Sequence, residues 1–209
     1  MTFFQDLQKG FRFQMSGMFG ESLRFENKEG EMTRFIRILG AGKTYNFPVD
    51  TDEELSLVPG VGVPVRASGL VVRRNGTLYV NPRIQDFTVP GKPNWKPPSE
   101  EDFLAGVSFA GHGILLQKRG GEYRGSEYRK IQVSGWGDTY EFRDISIDMF
   151  DALPDRGNVF VSGRLEPVLS SGRIDDRTVV ASDMRFVVDK VRVVEAVVER
   201  VPKVEKPAA

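Results

Sequence analysis

Short runs in which Val, Ile, Phe and Tyr alternate with polar residues recur along this chain, separated by Gly, Asn and Asp. A period of two is the mark of half-buried β-strands. In the first half the pattern predicts strands at Phe11 to Phe25, Glu31 to Leu39, Lys43 to Phe47, Val63 to Val72 and Thr77 to Val89. In the second half it predicts them at Phe103 to Gln117, Glu127 to Ser134, Asp138 to Phe142, Asn158 to Glu166 and Arg177 to Val188. Gly17 and Gly20 interrupt the long first strand, which must therefore bend. Between the third and fourth strands of each set the period changes. Asp50 or Thr51 is placed to cap a short helix with Glu53 and Glu54 in its first turn, and Ile147, Phe150 and Leu153 take helical spacing within Asp144 to Leu153.

Three strands, a short helix and two strands is the order of the OB-fold, a small closed Greek-key barrel. The order occurs twice, and the letters repeat with it. R-F-I-R-I-L-G-A-G-K-T-Y-N-F (Arg34 to Phe47) returns 95 positions later as R-K-I-Q-V-S-G-W-G-D-T-Y-E-F (Arg129 to Phe142), with seven of fourteen positions identical: Arg34/Arg129, Ile36/Ile131, Gly40/Gly135, Gly42/Gly137, Thr44/Thr139, Tyr45/Tyr140 and Phe47/Phe142. The stretch from Val63 to Val71 is likewise answered by Asn158 to Leu165. The expected class is all-β with short helices, as two tandem OB-fold five-stranded Greek-key barrels. Their expected limits are 1–90 and 103–189, joined by a linker at 91–102 in a segment holding four prolines between Pro90 and Glu101. Residues 190–209 form a valine-rich extension and tail. Val187, Val191, Val194, Val198 and Val201 are spaced as on an amphipathic helix, yet valine favours strands, so both readings stand. Pro202 to Ala209 is expected to fray.

Domains this small must each form a core of their own. The chain has no cysteine and a single histidine, His112, which excludes disulfides, thiolate metal sites and multi-histidine metal sites within one chain. His112 lies in Gly-His-Gly with no nucleophile visible near it. The acidic groups at Asp50 to Glu54, Asp144 to Asp151 and Asp175-Asp176 are spaced as helix starts and turns. No catalytic role, no cofactor and no metal are expected. The first ten residues lack a basic region followed by an apolar run, and no eighteen apolar residues occur together, so the expectation is a cytoplasmic protein without a membrane partner. Formal net charge is zero. A polyanionic partner must therefore be met by a local basic patch.

The second copy carries a resemblance. S-E-Y-R-K-I-Q-V-S-G-W-G, then R-G-N-V-F-V-S-G-R-L, S-S-G-R-I and A-S-D-M-R-F-V resemble bacterial single-stranded DNA-binding proteins over about Glu127 to Val188, and less closely over Phe13 to Val89. The resemblance implies an OB barrel, a base-stacking aromatic at Tyr128, and several barrels acting together. It departs from that family at the C-terminus, where V-V-E-A-V-V-E-R-V-P-K-V-E-K-P-A-A is mixed in charge instead of acidic with an apolar tip. That departure puts partner recruitment and a replication role in doubt.

Strand parity picks the candidate residues. With Ile36, Ile38, Ile131 and Val133 inside, Phe35 and Arg37 in the first copy, and Tyr128, Lys130, Gln132 and Ser134 in the second, face outward. Exposed aromatics beside cations suit single-stranded nucleic acid, since every base offers a π-face and every nucleotide a phosphate. Phe35 has a second reading, as packing against the other domain or another subunit. Lys118, Arg119, Tyr123, Arg124, Tyr128, Arg129 and Lys130 cluster around a glycine-rich hairpin that reads as longer than its counterpart at Asn27 to Glu31. Arg73 and Arg74 precede the Asn75-Gly76 turn signal. Trp95, between Lys92 and Lys96, is placed either to stack a base or to anchor the linker, and Trp136 replaces Ala41 at a turn tip. The repeated Gly-x-Gly reads as a tight hairpin rather than a phosphate loop, and Tyr45, Phe47, Tyr140 and Phe142 as packing.

Together these residues predict binding of single-stranded nucleic acid, DNA before RNA, with little sequence preference, by a dimer of the tandem chain. The rival is a structural module of tandem barrels that binds protein partners.

Overall fold

A computed structural model describes residues 10–26, 30, 32–49, 59–73, 80–135, 137–168, 173–174, 177–178 and 183–194. In chain order its elements are β1 (Phe11–Glu26), β2 (Met32–Gly40), β3 (Lys43–Val49), β4 (Pro64–Arg73), β5 (Val80–Thr88), α1 (Glu100–Leu104), β6 (Val107–Tyr123), β7 (Ser126–Gly135), β8 (Asp138–Arg143), α2 (Ile147–Asp151), β9 (Gly157–Pro167), β10 (Arg173–Ile174), β11 (Arg177–Thr178) and β12 (Met184–Val193). All ladders are antiparallel. The first half runs in the order β3-β2-β1-β4-β5 and the second in the order β8-β7-β6-β9-β12. β3 packs against β5, and β8 against β12, which rolls each half into an OB barrel.

Both halves bend at the same places. β1 carries a bulge between Phe19 and Glu21 against β2, and β6 one between Leu115 and Gln117 against β7. A second bulge faces Gly69 in the first half and Gly163 in the second. At these two glycines the facing backbone closes in so far that a Cβ would lie 1.9 Å from the Arg83 carbonyl oxygen and 2.1 Å from that of Val187. Only glycine fits there, which accounts for the Ser-Gly that recurs in both copies. The Gly-x-Gly segments are two-residue hairpin turns, with Gly40 paired to Lys43 and Gly135 to Asp138. Ala41, Gly42 and Gly137 take φ of 50°, 68° and 83°, as such turns demand.

Three expectations are corrected. Phe103 does not begin a strand, which starts instead at Val107. The Ser99 hydroxyl accepts from the Asp102 amide at 3.2 Å while the Asp102 carboxylate accepts from the Ser99 amide at 2.9 Å, and this capping box winds Glu100–Leu104 into helix. Arg177 belongs to the short β10–β11 hairpin, not to the last strand. That strand runs on to Val193, so Val187 and Val191 are strand residues; Val198 and Val201 lie outside the described residues. The expected helix at Asp50 to Glu54 also lies outside them, whereas its counterpart forms with Ser146 as its cap.

The halves do not have separate cores. β1 pairs with β6 about a centre at Phe13 and Phe109, and Met184 of β12 bridges Val80 of β5, so the barrels meet twice. The buried side chains form one connected cluster. Within it Phe13 stacks on Phe47 at 5.3 Å, and Phe109 on Phe142 at 5.9 Å. Phe11, from the first half, packs edge-on against Tyr140 and Phe142 of the second at 4.9 and 5.1 Å. Tyr140 donates its hydroxyl to the Val71 carbonyl at 3.0 Å across the same junction. Burial and the nearby Asp138 carboxylate push that phenol up to about 12.

Candidate nucleic-acid interface

Ile36 and Ile38 are fully buried, so the odd positions of β2 stand on the outer face of the first barrel. Register places three rows across β1, β2 and β3 there: Met18, Leu39 and Thr44; Glu21, Arg37 and Asn46; Leu23, Phe35 and Pro48. The first row is apolar and open, with Met18 39% and Leu39 43% exposed. In the middle row Arg37 pairs with Glu21 and donates to Asn46 Oδ1 at 3.1 Å. Phe35 is half-buried in the third row, beside Leu23 and Pro48.

The second barrel builds its face on the same ladder. Ile131, Val133, Tyr140 and Phe142 point inward. Outside stand Ile114, Ser134 and Thr139; then Gln117, Gln132 and Glu141; then Arg119, Lys130 and Arg143; and beyond them Gly121 and Tyr128. Glu141 draws its neighbours together. Its carboxylate accepts from Lys130 at 2.9 Å, from Arg143 at 2.8 Å and from Gln132 at 3.4 Å. Partial burial works to raise its pKa, but these donors outweigh burial and hold the carboxyl below its usual range. Arg119 is exposed and makes no ion pair among the described residues. Tyr128 is 40% exposed. Its ring lies over Gly121, where a Cβ would approach the phenol to 3.2 Å, so glycine makes the seat for it. Beside it an open groove of about 430 Å³ is lined by Tyr128, Ile147 and Phe150 together with Glu122, Glu127, Arg129 and Asp151.

The hairpin above this face turns at Arg124 and Gly125, with φ of 52° and 77°. The Arg124 guanidinium lies 5.2 Å from the centre of the Tyr123 ring. The hairpin is not longer than its counterpart: Leu115 to Val133 spans nearly the same chain as Phe19 to Ile38. Its pairing runs to Tyr123 and Ser126 around a two-residue turn, and in the first barrel the outermost pair among the described residues is Glu26 with Met32.

Of the residues selected from sequence, Phe35 and Arg37 share one face, and Arg119, Tyr128 and Lys130 share the other. Lys118 belongs to neither. Its ammonium donates to the carbonyls of Leu153 at 2.7 Å and Phe150 at 3.4 Å and lies 5.2 Å from the Phe150 ring centre, closing the C-terminal end of α2. Arg73 is exposed at the end of β4. Trp95 is half-buried in the linker, where its amide donates to the Lys92 carbonyl at 3.0 Å and Lys92 in turn reaches the Phe87 carbonyl at 2.6 Å. Arg74 and Trp136 lie outside the described residues. Sequence reasoning missed Arg143 and Glu141. The signal was present, because Tyr140 and Phe142 inside force Glu141 and Arg143 outside.

No protein-family model matches this chain, and no curated relative does. Among solved structures, the wild-type single-stranded DNA-binding protein of Thermus aquaticus aligns with a TM-score of 0.52 at 10% identity, covering 90% of this chain and 93% of that one. A deletion mutant of the same protein gives 0.51 at 10% identity over 90% and 95%. The shared property is the fold. The likeness takes in both barrels, and at that identity it fixes the architecture on which the outer faces stand. No helix among the described residues is long and apolar enough to cross a membrane.

Proposed function

We propose that this protein binds single-stranded nucleic acid, DNA in particular, with little sequence preference, along the outer faces of its two barrels. Bases stack on Tyr128 and Phe35, and phosphates meet Arg119, Lys130 and Arg143. The observation that carries this reading is the register that sets those three cations in one row beside an exposed tyrosine. An aromatic face accepts any base and a cation row follows any backbone, so the pair gives affinity without sequence readout. Having two barrels in one chain makes the second contact intramolecular. The fold shared with a single-stranded DNA-binding protein of Thermus aquaticus supports the reading at the level of architecture.

Fluorescence anisotropy with a labelled oligo-dT of about thirty nucleotides tests it. Binding at low salt that weakens linearly in log salt is expected; no binding at low salt overturns it. An oligo-rU of equal length separates DNA from RNA. The rival reading, a structural module for protein partners, draws on the open apolar pair Met18 and Leu39. It predicts self-association in light scattering with no oligonucleotide binding, whereas the favoured reading expects a dimer that binds.

A further inference from the structure

We infer that Glu141 is a resident counter-anion of the second barrel's outer face, one that a nucleic-acid phosphate must displace, and that it thereby sets the affinity of that face. This rests on the binding reading above. Three donors from two strands converge on its carboxylate: Lys130 and Gln132 on Oε2, and Arg143 on Oε1. A phosphate offers the same kind of charged oxygens to the same donors. Glu141 therefore occupies the place that a phosphate in this row would take. Its side chain is 16% exposed, against 24% for Lys130 and 51% for Arg143, so the anion sits under the cations it holds. Of the row, Arg119 alone is not engaged by Glu141.

The first barrel has a related device on another strand. Glu21, on β1, holds Arg37 within its own row, whereas Glu141, on β8, stands in the corresponding row of the second barrel and reaches Lys130 and Arg143 in the row beside it. Glu21 is 45% exposed and pairs with one cation, so water and salt weaken its grip. Counting the residues just described, the first face is neutral, with Arg37 against Glu21. The second is positive, with Arg119, Lys130 and Arg143 against Glu141.

The test is Glu141→Gln in the full chain, measured against wild type with oligo-dT of about thirty nucleotides across a salt series. Glutamine keeps the shape and an acceptor while removing the charge. Binding about tenfold tighter at low salt is expected, with a slope in log salt steeper by about 0.7 for each phosphate newly held. Glu21→Gln is expected to tighten binding by about threefold, because a half-exposed pair is already screened. If wild type binds and Glu141→Gln binds equally or more weakly at an unchanged Tm, the counter-anion role is wrong while the binding reading stands. If neither chain binds, both fail. If Glu141→Gln lowers Tm so far that it does not fold, Glu141→Ala, which removes the same charge, decides the matter, and an unchanged or weaker affinity there overturns the inference.

Discussion

Where the first barrel sets Leu23, Phe35 and Pro48 side by side on its outer face, the second sets Arg119, Lys130 and Arg143 at the corresponding positions of the same ladder. Inside, the two barrels are nearly interchangeable. Tyr45 and Tyr140, Phe47 and Phe142, and the glycines at both bulges occupy matching places because closing a small barrel leaves few choices. An outward side chain carries no such burden, so the faces are free to differ in chemistry while the frame stays fixed. The difference suggests a division of work: an apolar face suited to bases, and a cationic face suited to backbone.

The hardest test of that division is charge reversal. Arg119→Glu with Arg143→Glu is expected to weaken oligo-dT binding by about a hundredfold or more at low salt and to flatten the salt dependence, because two phosphate contacts become repulsive. Equal binding would remove the second face from the site. Next come the aromatics. Tyr128→Ala and Phe35→Ala are each expected to cost about 1–3 kcal/mol of binding while leaving the salt slope alone, since stacking releases no counterions. A loss confined to Tyr128→Ala would assign the whole site to the second barrel and return Phe35 to packing. The smallest effect is expected from Lys118→Ala, which should leave affinity unchanged in the same anisotropy series and lower stability by about 1 kcal/mol in denaturant unfolding. An affinity loss comparable to that of a single charge on the row would bring Lys118 back to the surface.

Most of the strand plan was legible in the sequence, because period-two alternation and the paired glycines report directly on which side of a sheet is buried. The inward set Ile36, Ile38, Ile131 and Val133 followed from parity, and the packing role of the repeated Tyr and Phe from reading Gly-x-Gly as a tight hairpin. Lys118 did not. It stands beside Arg119 in the chain, yet a β-strand sends neighbours to opposite faces, and charge clustering in sequence hides that. The helix at Glu100–Leu104 was not legible either, since its Ser99 and Asp102 capping pair follows directly on proline-rich chain and it is too short to show an apolar period. Joining of the two cores was out of reach for a different reason: β1 pairing with β6 is a contact between distant strands, with no local pattern to announce it.

That pairing has a consequence for how the molecule holds together. Phe11 is chained to one barrel and packed in the other, and among the described residues the Tyr140 hydroxyl finds its acceptor in a carbonyl across the seam. Separating the halves would strip an aromatic plug from one and leave a stranded polar group in the other. The two barrels are therefore expected to unfold as a single cooperative unit, and fragments left by a protease that cut the proline-rich connection to stay clasped as one body.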